Sequence, residues 1–271
     1  MTRAAAIEGA LAGLTVALYA FLLAPVGVVV ALAFNASPLA TFPITHLTLG
    51  WFAALTGDPA ILKALKTSLV LGVTVSLIST SLGTAAAYAL ARFRFGGRDM
   101  VQMVLTIPIL VPHIILGIGL LLSFHLAGLV KSFPLLVAGH VAITLPYVVL
   151  TTRHRLEAIP HSLEEAAQTL GANRLQSFLA VTMPLALPAI VTALLFAFMI
   201  SFDEITATLF WLPPNVQTVP TQIMAMLEYS VDQKINALAT VLIMATVALP
   251  ILAILYAQAR AATSRSGMRR T

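Results

Sequence analysis

Among the stretches of this chain that carry no Asp, Glu, Lys or Arg, six read as membrane segments: residues 9–57, 67–91, 100–130, 132–152, 175–202 and 235–259. Each exceeds the roughly 20 residues that an α-helix needs to cross about 30 Å of hydrocarbon. A charge at the centre of such a helix costs about 2.5–3.5 kcal/mol on insertion, so charge-free windows are what a spanning segment demands. With 59% hydrophobic and 9% charged residues, against roughly 25% charged in an ordinary globular domain, the chain lacks the polar side chains to cover a water-facing surface. The windows predict an all-α integral membrane protein with six transmembrane helices, over approximately residues 10–33, 67–90, 101–123, 133–152, 182–207 and 236–258. The first apolar run, of about 24 residues, exceeds the roughly 7–15 of a signal-peptide core and reads as an uncleaved anchor.

Loops rich in Lys and Arg stay on the cytoplasmic side. With the N-terminus inside, Arg3, Arg92, Arg94, Arg98, Arg153, Arg155, Arg174, Arg260, Arg265, Arg269 and Arg270 fall on the inner face, and only Lys63, Lys66, Lys131 and Lys234 on the outer one. Both termini are therefore expected in the cytoplasm. The net charge of +5 is arranged as this asymmetry and not as a basic face for nucleic acid. Trp51 and Trp211 fall near outer helix ends, where interfacial indoles are expected. The absence of cysteine excludes disulfides, thiolate metal sites and cysteine nucleophiles. Prolines at 25, 108, 112, 146, 188 and 250, and glycines such as Gly117 and Gly139, fit close packing of membrane helices.

The inner segment from Arg153 to Val181 carries its own folding signals. Pro160 closes what precedes it, and Ser162–Leu163–Glu164–Glu165 reads as a capping box in which Ser162 caps and Glu165 reaches back. Ala166, Ala167 and Leu170 continue a short apolar face, and Gly171 supplies a left-handed stop. Asn173 is placed to cap a second helix over Arg174–Met183, which Pro184 interrupts. A helical corner with small side chains suits docking into a groove of another protein.

Glu165–Ala166–Ala167–x3–Gly171, followed at the right distance by Val181–Thr182–Met183–Pro184, resembles the EAA loop of bacterial ABC importer permeases. Val181 and Met183 stand where that motif has Ile and Leu. The likeness extends to Leu47–Phe52, Asp58–Pro59, Thr67–Ser68–Leu69, Leu145–Pro146–Tyr147 and Ser201–Phe202–Asp203–Glu204, which are similar to the spermidine/putrescine class, second permease subunit. The resemblance implies a type I ABC importer permease fold in a bacterial inner membrane. It divides the chain into residues 1–64 (first span and outer segment), 65–256 (transmembrane core, with the coupling loop at 161–184) and 257–271 (basic cytoplasmic tail). It further implies a second homologous permease, a dimer of cytoplasmic ABC ATPases and an external substrate-binding protein as partners. Glu164, Glu165, Ala166, Ala167, Leu170, Gly171, Val181 and Pro184 would then form the ATPase-coupling element. ATP and Mg would bind the partner ATPase and no cofactor this chain, which has no Gly-x4-Gly-Lys-[Ser/Thr] loop.

The alternative of a membrane-embedded hydrolase finds little chemistry. His113, His125 and His140 lie in separate segments, lack a nearby carboxylate and show no His-x3-His spacing, and read as helix-packing residues. No base or oxyanion donor is evident near His161–Ser162. The informative ionisable pair is Asp203–Glu204, where an apolar helix runs into two acids with more apolar residues beyond. One reading places one of them on a translocation path with Thr206 or Thr208, with Asp203 favoured because Thr206 lies three positions on. The other makes the pair a solvated helix end. Acids on the path suit a small amine such as a polyamine. Amino-acid derivatives, opines, aminophosphonates and ferric iron stay open as substrates.

Overall fold

The computed structural model describes residues 3–38, 41–44, 46–229, 233–248 and 251. The basic tail expected at 257–271, and the end of the last span after residue 251, lie outside the described residues. Helices follow one another in the order α1 (Arg3–Ala33), α2 (Gly50–Thr56), α3 (Pro59–Arg92), α4 (Arg98–Thr106), α5 (His113–Leu126), α6 (Phe133–Glu157), α7 (His161–Thr169), α8 (Arg174–Ser177), α9 (Met183–Asp203), α10 (Thr208–Trp211) and α11 (Val219–Tyr229). A further apolar helix, α12, covers Lys234–Ala248.

Two compact units divide the chain, Met1–Leu62 with Ile223–Thr271, and Lys63–Gln222. In the first, α1 exposes apolar side chains all round, including Leu11, Val16 and Phe21, the surface of a helix meant for lipid. Trp51 is half-buried and donates its indole N–H to the Asn35 carbonyl at 2.8 Å. Asp58 caps the start of α3 by accepting from the N–H groups of Ala60 and Ile61. Pro59 follows at the first helical position, where no N–H is missed. Lys234 donates to the other Asp58 oxygen at 2.9 Å and, with the backbone bonds, holds that carboxyl below its ordinary range.

The second unit is built on α6, which packs most extensively against α9. Leu136, Val137 and Ile143 of α6 meet Leu71 and Val75 of α3, with Ala207 and Trp211 closing one end. Ala87, Leu156, Ile159 and Ala186 form a second cluster towards the other end. Small side chains such as Ala193 and Ala197 let α9 approach Val148 of α6, the contact that membrane helices favour where lipid supplies no hydrophobic drive.

Among the described residues, four helices are long and apolar enough to cross a bilayer: Ile7–Ala33, Pro59–Arg92, Phe133–Glu157 and Arg174–Asp203. The segment expected as one third span, over about residues 101–123, is a bent pair, Arg98–Ile109 and His113–Leu126, at 111° to each other. Pro108 and Pro112 frame the break, since each lacks a donor and Pro112 also disfavours helix at Val111. The fifth expected span stops at Asp203 and not at 207, because Glu204 turns extended at φ −72°, ψ 118°. Pro184 does not interrupt its helix. A wide π turn over Phe178–Thr182 precedes it and makes room for the ring, so the chain runs on from Arg174 to Asp203.

Candidate functional site

The loop between α6 and α9 folds as a helical corner. At its turn Gly171 takes φ +94°. Its N–H donates to the Gln168 carbonyl at 3.0 Å and that of Ala172 to Ala167 at 3.1 Å, the paired bonds of a Schellman stop. Asn173 caps α8 in a reciprocal box with Gln176, both bonds being 2.9 Å.

The start of α7 departs from expectation. The helix begins at His161 behind Pro160, and Ser162 makes no capping bond. Pro160 presets the backbone for helix entry, so the hydroxyl two residues further in is not needed as a cap. Glu165 points outward and meets His161 Nδ1 at 3.4 Å. Glu164 is the buried acid of the pair, 2% exposed. Its Oε1 accepts from Arg92 Nε at 2.8 Å and from the Thr182 hydroxyl at 2.5 Å, and its Oε2 accepts from the Tyr88 hydroxyl at 3.2 Å. Burial alone would raise this carboxyl, but the Thr182 and Arg92 bonds and the guanidinium charge hold it below its ordinary range. Arg92 also donates to the Ile159 carbonyl at 3.1 Å. One carboxylate thereby ties α7 to α3 and to the π turn. Leu163, Ala166 and Leu170, the last 90% exposed, remain on the open side of the corner with half-buried Ala167. Val181 is half-buried and Pro184 exposed.

At the far end of α9 the two acids separate. Asp203 is exposed, while Glu204 is buried beneath His113, whose Nδ1 lies 2.5 Å from Glu204 Oε2. A carboxylate thus does stand beside one of the histidines, supplied from 91 residues away. The other Glu204 oxygen accepts the Ala207 N–H at 2.8 Å. Thr206 is exposed on the turn, so the helical spacing that would have grouped it with Asp203 does not exist. Thr208 is fully buried. Its hydroxyl donates to the Glu204 carbonyl at 2.8 Å and therefore accepts from His140 Nε2 at 3.0 Å, which leaves His140 Nδ1 to accept from Ser201 at 3.0 Å. Trp211, expected at an interface, is fully buried, with its N–H on the Gly117 carbonyl at 2.8 Å. Its ring fills the space that a Cβ on Gly139 would occupy.

A family model described as "Binding-protein-dependent transport system inner membrane component" matches residues 78–265. The chain belongs to that family. It is a membrane-spanning permease subunit of an ABC importer. It is 31% identical over 248 residues to the spermidine/putrescine transport system permease protein PotC of Escherichia coli (strain K12), covering 91% of this chain and 93% of the relative. It is 34% identical over 232 residues to the putrescine transport system permease protein PotI of the same strain, covering 83% and 82%. Among solved structures, a bacterial ABC transporter involved in the import of the acidic polysaccharide alginate superposes with a TM-score of 0.70 at 18% identity, covering 95% of this chain and 98% of the other. A second, the bacterial alginate ABC transporter in complex with an alginate pentasaccharide-bound periplasmic protein, gives 0.71 at 16% identity, covering 93% and 92%. These establish the type I ABC permease fold. Relatives in the family are transport subunits and not enzymes.

The grouping of Arg92, Tyr88 and Thr182 around Glu164, and of His113, His140 and Ser201 around Glu204 and Thr208, was not readable from any motif, although Thr182 and Ser201 lie within the matched segments. Their only sequence signal is that each is a polar residue within or beside a largely apolar segment, which demands a partner.

Proposed function

We propose that this chain imports polyamines or related small amines as one of two homologous permeases in a bacterial inner membrane, driven by a cytoplasmic ABC ATPase dimer and fed by an external binding protein. The observation that carries the substrate class is the similarity to PotC and PotI over most of the chain. The acids at Asp203 and Glu204 support it, since ammonium groups are held by carboxylates in a low-dielectric setting more strongly than in water. Fold alone does not select the charge of the cargo, because a structure of the same fold belongs to a transporter of an acidic polysaccharide.

In this reading the α7 face of Leu163, Ala166, Ala167 and Leu170 sits in an ATPase cleft, with Gly171 fixing the corner and Glu164 transmitting its movement to α3 and α9. Glu165, Val181 and Pro184 complete the coupling loop of residues 161–184. ATP and Mg act on the partner, drawing the ATPases together and turning the permeases outward to receive cargo. Six spans with both termini cytoplasmic complete the arrangement, α12 beginning the last. The division into 1–64, a core of 65–256 and a tail of 257–271 goes with it. The sidedness is supported within the second unit, where Arg92, Arg98, Arg155 and Arg174 gather around the inner loop and Lys63 bonds the Asn215 carbonyl at the opposite end of α3.

The test is reconstitution of the complete importer in vesicles with labelled putrescine or spermidine. ATP-dependent uptake that requires the binding protein is expected. Uptake of another solute class with no amine transported overturns the substrate assignment.

A further inference from the structure

The Glu204 carboxylate is buried, and the side chain standing over it is an imidazole. Of the pair, His113 is 33% exposed and Glu204 6%, so the ring is the accessible cover and the carboxylate the floor. His113 is the first residue of α5, directly after the break where the chain turns by 111°. Glu204 is itself anchored, with Oε1 on the Ala207 N–H and its carbonyl on Thr208. Thr208 is in turn held by buried His140, which is held by Ser201. One member of the pair is braced by the packed core, and the other starts a helix behind a hinge. A group that competes for Glu204 therefore displaces His113 and not the carboxylate.

We propose that His113 is a built-in surrogate for the cargo's ammonium group: it occupies Glu204 in this conformation and is exchanged for an amine as cargo passes. The inference rests on the reading of the cargo as a small amine and adds a specificity-determining residue to it. An ammonium ion offers Glu204 Oε2 the same kind of N–H donor that the imidazole does, and the exchange leaves no buried carboxylate unpaired at any stage. A solute without a cationic nitrogen has nothing to exchange. The cover thus selects for charge where an empty pocket would accept any molecule that fits.

The experiment uses the complete importer in lipid nanodiscs, without the external protein, which holds amine itself. Equilibrium binding of labelled spermidine is measured for wild type, H113A, H113S, and H113A with E204Q. H113A and H113S should each bind spermidine about tenfold more tightly than wild type, because the apparent affinity scales with the fraction of uncovered Glu204, and E204Q should abolish the gain. Two substitutions guard against a folding defect, which would weaken binding where the exchange strengthens it. Equal or weaker binding by both single variants, with spermidine still imported by the wild type in vesicles, overturns the exchange while leaving the cargo reading in place. Failure of the wild type to import spermidine overturns the cargo reading, and the exchange with it.

Discussion

Arg92 Nε lies 2.8 Å from Glu164 Oε1, and the two side chains, from the end of α3 and the first turn of α7, are 6% and 3% exposed. Removing one member of a buried, hydrogen-bonded ion pair leaves the other charge uncompensated at a cost of roughly 3–5 kcal/mol. Glu164→Ala should therefore release α7 from α3 and the π turn and abolish co-purification of the ATPase at normal permease expression. Arg92→Met with Glu164→Leu should recover part of it. Stable association in the Glu164→Ala variant would show that α7 is held by other means.

The same pair sets an acid limit. Because the Glu164 carboxyl is held below its ordinary value of 4.5, its contribution is complete above that value and is lost as pH falls through the lower folded-state value. Hydrogen exchange in α7 should stay slow down to about pH 4.5 and rise below it. Glu164→Gln should flatten that dependence.

At Gly171 the left-handed backbone, φ +94°, costs a residue with a Cβ about 1–2 kcal/mol, and a β-branched one more. Gly171→Val should leave membrane insertion intact but reduce ATPase association and uptake together, while Gly171→Asn should be milder. Full uptake and assembly in Gly171→Val would remove the loop from the coupling role.

The corner at Gly171 and the cap at Asn173 were legible because their signals are local: a glycine where the chain must turn left-handed, and an Asn three residues before a Gln. The span windows that became α1, α3, α6 and α9 were legible for the same reason, since hydrophobicity needs no partner. What escaped was long-range. Trp211 looks interfacial until Gly139 and Gly117 supply a slot and a carbonyl. Ser162 looks like a cap until Pro160 starts the helix ahead of it. Pro108 and Pro112 read as packing residues of a membrane helix, but the 111° bend beside them is not encoded by any local spacing.

Gly139 tests that packing. A methyl group there collides with the Trp211 ring, and overpacking a close-packed site costs about 1–3 kcal/mol. Gly139→Ala should lower the thermal midpoint in detergent, and Gly139→Ala with Trp211→Leu should recover part of the loss. An unchanged midpoint in Gly139→Ala would mean that the ring shifts freely.

Sidedness can be read by thiol labelling, since the chain has no native cysteine. Single cysteines at Ser37, Ser132 and Asn215 should react with an impermeant reagent added outside intact cells, and one at Gly96 should not. The cytoplasmic-tail counterpart, Ser264, lies outside the described residues but carries the same expectation. Labelling at Gly96 with protection at Asn215 would invert the orientation.

The two acids after α9 should not be equivalent. Spacing favoured Asp203 through Thr206, but α9 ends at Asp203 and leaves both of those side chains exposed, whereas Glu204 is buried with its carboxylate under His113. Of the two carboxylates, Glu204 is the one shielded from bulk water, where lower dielectric makes the attraction for a cation larger. Glu204→Gln should reduce spermidine uptake by the reconstituted importer at least tenfold, with amine binding by the external protein unchanged. Asp203→Asn should cost no more than about twofold, the scale of a screened surface charge. Equal loss in the two variants would place both acids on the path, and wild-type uptake in both would make them a solvated helix end.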